Sequence, residues 1–290
     1  MIYVIMIFLA AVGYAVNFAL TKVYQLNQGN TPEIGIVFNS LVGIVGFLIY
    51  FAICGFKIEI TVFSLIIAVL LTLFVGIYTI IGFKIMSIGS MAVYTVFLML
   101  GGMTLPYFYG IIFLGESVTL TKVIALLLMI TAIVLQNDKS DDKQKLFFYL
   151  LCIFVFILNG LTSIASKIHQ IDLGFKTVSE NEFIVLKNLI RALMFGGMLP
   201  FFKNGNGKIL SIKPKMYVVI VLSGVVSSTA YLLQIVCASH LPATIQFPVM
   251  TGGTIMFTAI LGLVLFGEKI NKRQVTGLII CLVATLLFVI

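Results

Sequence analysis

The stretch that decides the fold occurs twice, as GIIFLGESV at residues 110–118 and as GLVLFGEKI at residues 262–270. In each copy an apolar run ends in a Gly-Glu pair, a short polar turn follows, and a second apolar run begins. The same shift of 152 residues superposes Gly101 on Gly253, outside the quoted stretches. The sequence therefore predicts an internal duplication.

The composition places this duplicated chain in a lipid bilayer. Of its 290 residues, 61% are hydrophobic and 10% are charged, and the mean hydropathy is +1.20. Soluble domains carry about 25% charged residues, whereas one helical membrane crossing needs about 20 apolar residues in succession. The apolar runs lack the alternation of a membrane barrel, so their backbone groups must bond within helices. The sequence thus predicts an all-α polytopic membrane protein.

The charged residues and the cysteines argue against several other classes of protein. A net charge of +8 would suggest nucleic-acid binding in a soluble protein. Here Lys and Arg lie mostly in short loops, where they act as topology signals, so no nucleic-acid partner is expected. The cysteines stand singly in apolar surroundings, which predicts neither a disulfide framework nor a metal site, and no cofactor is predicted. They are Cys54, Cys152, Cys237 and Cys281.

Charged or Gly/Pro/Asn-rich breaks divide the chain into ten apolar runs. The first five lie near 3–22, 32–54, 61–83, 89–114 and 118–136. The second five lie near 146–167, 181–202, 215–238, 241–266 and 272–290. The predicted organisation is therefore a first repeat over 1–136, a polar linker over 137–145 and a second repeat over 146–290.

The odd number of crossings in each repeat decides how the two copies are related. After five crossings the chain re-enters the membrane from the opposite side, so the second copy must be inverted. The predicted fold is ten transmembrane helices arranged as two inverted five-helix repeats, which is the recurrent architecture of secondary transporters. The alternative is a duplicated scaffold that has no transport role.

The two Gly-Glu stretches resemble those of the drug/metabolite transporter superfamily, specifically its EamA-type members with ten helices. Residues 110–135 and 262–288 carry the likeness, because in each an apolar helix ends in Gly-Glu before a final helix rich in small residues. The NFALTK stretch at 17–22 and the Thr31-Pro32 pair that opens the second helix also fit. Family members often carry an Arg where this chain has Asn39, and that departure leaves the role of the Arg open here.

The resemblance implies a carrier for small metabolites in the plasma or inner membrane, and it favours export over uptake. It places the substrate cavity between helices one, three, four, six, eight and nine, with helices five and ten in support. Orientation stays open. The loops on one side hold twelve Lys and Arg against four on the other, which predicts external termini. Family precedent instead favours termini in the cytoplasm.

Polar side chains inside membrane helices are costly, so each is a candidate for function. The alternative is that they join helices through hydrogen bonds worth about 0.6 kcal/mol each. Ser227, Tyr231 and Gln234 share one helical face at i, i+4 and i+7 spacing. The predicted cavity-lining residues are Asn17, Tyr78, Tyr94, Asn159, Thr162, Ser227, Tyr231, Gln234 and Gln246.

Two cations complete the predicted substrate site. Lys187 and Arg191 are spaced i, i+4 within the seventh helix, and they are candidates to attract an anionic or zwitterionic substrate. Asp and Glu are missing from mid-membrane depth, which disfavours proton-coupled export of a cation. For Lys22 and Lys167, at the ends of helices one and six, snorkelling to the lipid headgroups is the simpler expectation.

The remaining acidic and imidazole groups are expected to have structural roles. Glu116 and Glu268 are predicted to cap the helices that follow them, where a carboxylate complements the helix dipole. His169 and His240 stand alone beside loops, where a surface position is expected. A membrane enzyme would need a clustered acid/base or metal constellation, so no enzymatic activity is predicted.

The predicted function is a secondary transporter of small polar or amphiphilic metabolites, such as amino acids, that works by alternating access. The chain lacks the GxxxxGK[ST] motif of a built-in ATPase. One alternative is a component of a lipid-linked substrate flippase, and an integral membrane enzyme is another. The expected partners are a small-molecule substrate and the lipid bilayer, for a multi-pass chain that is a monomer or a homodimer.

Overall fold

Long apolar runs form helices here because backbone groups in lipid have no other partners. The computed structural model describes residues 2–29, 31–88, 91–136, 146–171, 174–202, 212–267 and 269–289, and these contain ten α-helices. The first five are α1 (Ile2–Gln28), α2 (Pro32–Ile53), α3 (Val62–Ile88), α4 (Met91–Leu114) and α5 (Leu120–Gln136). The second five are α6 (Leu146–Gln170), α7 (Glu180–Met198), α8 (Pro214–Ala238), α9 (Ala243–Phe266) and α10 (Lys272–Val289).

Each predicted run coincides with one helix, and the prediction of an all-α polytopic membrane protein is confirmed. Nine helices of the described chain are long and apolar enough to cross a membrane, whereas the apolar stretch of α5, Leu120–Leu135, is shorter. The main difference lies in α1, which continues to Gln28 because Gly29 is the first helix-breaking residue after its apolar run. A short 3-10 helix, Leu199–Phe202, extends α7.

The Gly of each Gly-Glu pair ends a helix in the left-handed region of backbone space. The φ angle is 66° at Gly115 and 61° at Gly267. A residue with a Cβ is strained at such angles, so Gly is the usual residue at this position. After the first of these turns, the Glu116 N–H donates to the Gly110 carbonyl at 3.0 Å, which fixes where the Glu116 side chain emerges.

The helix packing is nearly symmetric between the first five helices and the second five. Each of the main contacts between two helices has an equivalent contact between their counterparts five helices along the chain. α2 packs on α7, α4 on α9 and α5 on α10. α1 packs on α8 and α9, and in the same way α6 packs on α3 and α4. The centre of the molecule is therefore enclosed by α1 to α4 and α6 to α9, while α5 and α10 lie to one side against each other.

Glycines bring α4 and α9 close to their partner helices. A methyl group on Gly101 would overlap the Phe156 carbonyl oxygen of α6. A methyl group on Gly253 would lie 2.9 Å from Ala11 Cβ of α1. These two contacts correspond to one another in this symmetric packing, and both put helix backbones in direct contact around the centre.

Candidate functional site

The polar face predicted on α8 points into the bundle. Tyr231 and Gln234 are buried, with exposed fractions of 7% and 6%. The Tyr231 hydroxyl lies 3.1 Å from Ser166 Oγ on α6. Gln234 Oε1 accepts a hydrogen bond from the Tyr14 hydroxyl on α1. This face of α8 therefore joins helices from both halves of the chain.

The two predicted cations of α7 reach the same region. Lys187 Nζ lies 3.0 Å from the centroid of the Tyr231 ring, a cation–π contact. It makes no hydrogen bond to any residue that the structure describes, and its side chain is only partly buried. Arg191 Nη2 donates to Asn39 Oδ1 on α2 at 2.6 Å. The buried Arg191 Nε has no partner.

Tyr78 of α3 completes this group. The Tyr78 side chain is close enough to Arg191 for an electrostatic interaction. The Tyr14 side chain is likewise close to those of Tyr78 and Tyr231. Each of these side chains is surrounded by helices, yet Tyr14, Tyr78, Lys187 and Arg191 keep some accessible surface. We refer to the group as the central cluster, and its members are Tyr14, Tyr78, Lys187, Arg191, Tyr231 and Gln234.

Two other predicted residues lie free for a ligand beside or near this cluster. Tyr94 of α4 lies within electrostatic range of Tyr78, and its hydroxyl rests against Gly82 of α3, 2.5 Å from where a Cβ would stand. Asn17 lies one turn along α1 from Tyr14. Tyr94 and Asn17 are partly accessible, and their side chains make no hydrogen bond within the described chain. Their role in binding a substrate stays a prediction.

The remaining predicted residues have internal hydrogen bonds. Asn159 Nδ2 donates to the Leu98 carbonyl at 2.7 Å, which ties α6 to α4. Thr162 and Ser227 each bond a carbonyl one turn earlier in their own helices, at 2.9 Å and 2.6 Å. These contacts suit the helix-joining alternative, and a place in the cavity stays a prediction for all three.

Gln246 connects the central cluster to α9. Its Nε2 donates to the Gln234 carbonyl at 2.8 Å, and the residue is fully buried. Its Oε1 is buried without a partner. Because an unpartnered buried oxygen is costly, this amide is an available acceptor next to α8.

Glu116 caps a different helix from the one predicted. Its carboxylate accepts the Ala243 and Thr244 N–H groups at 2.6 and 2.8 Å, at the N-terminus of α9. The expectation that it caps α5, the next helix in the chain, is therefore wrong. The reason is that the left-handed turn at Gly115 directs the side chain back over the end of the bundle. Glu268 lies outside the described residues.

Lys167 is a second correction, because it does not extend to the lipid headgroups. Its exposed fraction is 4%, and Nζ donates to the Ala238 and Leu241 carbonyls, the latter at 2.6 Å. These carbonyls lie at the end of α8 and in the turn that follows. Glu116 and Lys167 thus hold the two sides of the α8–α9 turn, and we refer to them as the turn clamp. Lys22, by contrast, lies within α1, before its last turn, over the Phe266 ring at 4.5 Å from the centroid.

The two histidines have different surroundings, and one of them corrects the sequence expectation. His169 is buried with an exposed fraction of 2%, stacks on Phe183 at 3.6 Å, and bonds Ser64 Oγ at 2.8 Å. The expected surface position is wrong for this residue because the N-terminal ends of α3 and α7 close over it. His240 is exposed, as expected, and stacks on Tyr3. Within the described chain no three His, Cys, Asp or Glu residues come together as a metal site.

Sequence reasoning missed three contributors to the interior. Tyr14 bonds Gln234 although the two lie 220 positions apart. Its i, i+3 spacing from Asn17 on one helical face was an available signal. Ser166 contacts Tyr231, and Asn188 Nδ2 donates to Ser228 Oγ at 3.1 Å. No sequence pattern pairs residues across helices in this way.

Comparisons with known proteins agree with this architecture. A model of the EamA-like transporter family matches residues 146–290, the range of the predicted second repeat. One solved structure, described only as "Crystal structure of protein", is similar with a TM-score of 0.78 at 12% identity. The similarity covers 99% of this chain and 98% of that one, and at such identity it shows the fold alone. No curated protein matches the chain.

Proposed function

The chain belongs to the EamA-like transporter family, and on that premise we propose that it is a secondary transporter that exports a small polar or amphiphilic metabolite, such as an amino acid. The family match confirms the resemblance drawn from the Gly-Glu stretches. It makes the chain an integral membrane protein and a membrane transporter of the drug/metabolite type. Export, alternating access and a place in the plasma or inner membrane are the proposed parts.

The observation that carries the proposal is the central cluster itself. Polar side chains from α1, α3, α7 and α8 converge inside a bundle whose outer surface is apolar. Polar groups inside a membrane protein are retained where they serve a substrate or ion path. Lys187 and Tyr78 keep accessible surface and have no hydrogen-bond partner in the described chain, so they are available to a ligand.

Alternating access needs two halves that can exchange shapes, and the packing supports such halves. We propose inverted repeats over 1–136 and 146–290, joined by a linker at 137–145 that lies outside the described residues. The second helices of the two repeats align at a shift of 149 residues, which matches Glu33 with Glu182. At this shift Gly43 of α2 meets its own counterpart Ala192 of α7, since a Cβ on Gly43 would lie 2.9 Å from the Ala192 nitrogen. Met129 Sδ likewise lies 3.8 Å from Cys281 Sγ, its counterpart on α10. Equivalent residues touch in this way at a two-fold axis.

The turn clamp supports the proposal that one end of the path is closed in this conformation. Glu116 comes from the first repeat and the α8–α9 turn from the second, so their hydrogen bonds join the halves at one end of the bundle. Rocking of one repeat against the other would have to break these bonds. The clamp therefore suits a contact that forms in one state of the cycle and opens in the other.

Transport into liposomes tests the proposed function. Purified protein in vesicles loaded with unlabelled solute should take up the same labelled solute by counterflow, for at least one member of a panel of amino acids, nucleosides and cationic dyes. Gln234→Leu, which removes the acceptor for Tyr14, should lower that rate about tenfold because one buried hydrogen bond is lost. Leu193→Ala, at a 66% exposed position of α7, is the matched control and should transport normally.

A further inference from the structure

Lys187 and Arg191 lie one helical turn apart in the central cluster, and neither has a carboxylate partner among the described residues. We propose that the transported metabolite is net negative and that its carboxylate or phosphate group binds between Lys187 and Arg191. This inference rests on the proposed transport function, for which it names the substrate class.

The charge balance of the interior is the first argument. Every Asp and Glu of the sequence lies at or next to the end of an apolar run, so none shares the depth of Arg191 in the middle of α7. Within the described chain, Lys176 and Glu59 form an ion pair, but this pair is exposed and both residues lie outside α7. Uncompensated cations inside a protein are costly, and like charges at i, i+4 repel each other. An anion between them offsets both costs.

The guanidinium of Arg191 is held in place but not saturated. Asn39 occupies Nη2 from the α2 side at 2.6 Å, which fixes the plane of the group. Nε is buried and has no partner, so a donor of the guanidinium edge remains available. The Nε and Nη groups of Arg form a planar fork that matches the two oxygens of a carboxylate or a phosphate.

The ammonium group of Lys187 is also held in place and also has unused hydrogen-bond donors. The Tyr231 ring covers one side of Nζ at 3.0 Å from its centroid. The ring attracts the positive charge but accepts no conventional hydrogen bond, so the three N–H donors stay available. Because Lys187 and Arg191 are four residues apart on one helix, both cations project from the same face of α7.

The remaining groups of the cluster favour a net negative solute over a zwitterion or a cation. Tyr78 offers a free hydroxyl donor close to Arg191, whereas the Tyr14 hydroxyl already donates to Gln234. A neutral amino acid would bring an ammonium group to a site that already holds two cations and, among the described residues, no carboxylate. An acidic amino acid, a dicarboxylate or a phosphorylated metabolite carries at least one net negative charge, which offsets part of the positive charge of the site.

Direct binding to the purified wild-type protein is the first test. Calorimetry in detergent compares solutes that share a carbon skeleton and differ in charge: glutamate with glutamine, and glucose 6-phosphate with glucose. We expect the anion of one pair or both to bind at least about tenfold more tightly than its neutral partner. Glutamate alone would identify a carboxylate site, and glucose 6-phosphate alone a phosphate site. Equal binding within both pairs, or preference for the neutral solutes, would overturn the inference.

Variants then assign the anion to these two cations. Lys187→Gln and Arg191→Gln should each lower affinity for the preferred anion at least about tenfold, and should lower the ratio of its affinity to that of its neutral partner. Lys176→Gln is the matched control, because it removes one cation at an exposed position. Unchanged anion affinity in both variants would contradict the assignment. Should a variant not fold, the wild-type comparison above still decides the inference.

The inference and the proposed function fail in different ways. Anion binding without counterflow of any solute would overturn secondary transport and keep the anion site. Counterflow of neutral or cationic solutes, with no preference for anions, would keep the transporter and overturn the anion site.

Discussion

Lys167 and Lys187 are lysines of consecutive helices that both lie inside the bundle, and they meet opposite surroundings. Lys167 donates to two backbone carbonyls, and its charge lies within range of Glu116. The Lys187 ammonium lies over the face of the Tyr231 ring and makes no hydrogen bond within the described chain. The first lysine holds a turn in place, while the second has donors left for something that the protein itself does not supply.

This contrast extends to the regions around the two lysines. At the turn clamp, the Glu116 carboxylate and the Lys167 ammonium are matched by the amides and carbonyls that helix ends leave unpaired. In the central cluster, Arg191 keeps an unpartnered Nε, and Tyr78 and Lys187 keep unused donors. A buried charged side chain whose hydrogen bonds are satisfied within the protein therefore indicates a structural role. One with unused hydrogen-bond donors indicates a binding site. The following substitutions test that distinction.

Lys167→Met should have the largest effect on stability. It leaves the Ala238 and Leu241 carbonyls unpaired and removes a buried charge near Glu116, so we expect a loss of about 3 kcal/mol in the free energy of unfolding. Unfolding in mixed detergent micelles, followed by loss of helical circular dichroism, measures it. Lys176→Met, at an exposed position, is the control. A loss below about 1 kcal/mol would contradict the clamp.

Glu116→Ala should lower the free energy of unfolding by about 2 kcal/mol, because two N–H groups at the start of α9 lose a charged acceptor. The same unfolding measurement applies. The effects of Glu116→Ala and Lys167→Met should not add in the double variant, since both residues hold one turn. Full additivity would show that the two residues act independently.

Lys187→Met should leave stability unchanged or raise it by about 1 kcal/mol, since an apolar side chain replaces an uncompensated cation. Binding and counterflow of the preferred anion should nevertheless fall about tenfold or more. A clear loss of stability, with binding intact, would place Lys187 in the architectural class with Lys167.

Lys176→Gln should have the smallest effect of the series. Its partner Glu59 is exposed, and the ion pair at 3.1 Å lies in water. Exposed pairs contribute about 0–1 kcal/mol, so we expect no more than about 0.5 kcal/mol in stability and no change in anion binding. A larger effect would mean that the surface contact supports the N-terminal end of α7.

Much of this fold follows from local sequence features. The apolar runs predict the helices, because hydropathy and length act within each segment. Gly115 and Gly267 predict helix ends because glycine readily adopts the left-handed backbone conformation at a helix C-terminus. Within the site, the i, i+4, i+7 spacing on α8 correctly indicated that Tyr231 and Gln234 face the interior.

The partners of these residues could not be predicted in the same way. The sequence predicts that Glu116 caps the next helix and that Lys167 extends to the headgroups. Both predictions fail because a sequence shows only which residues are near along the chain, not which are near in space. The i, i+3 spacing of Tyr14 from Asn17 places both on one face of α1, but it does not identify Gln234 as the partner. In each case the partner comes from a helix far along the chain, α9 for Glu116 and α8 for Lys167 and Tyr14.

The amino-acid order alone therefore determined that this chain crosses a membrane many times and that two cations lie within α7, and it predicts that the halves are related. These properties depend on transfer from water to lipid and on helix periodicity, which act residue by residue. Only the tertiary structure decided that the α8–α9 turn saturates Lys167 while Lys187 remains available beside Tyr231. The reason is that the cost of a buried charge depends on the neighbours that packing brings to it.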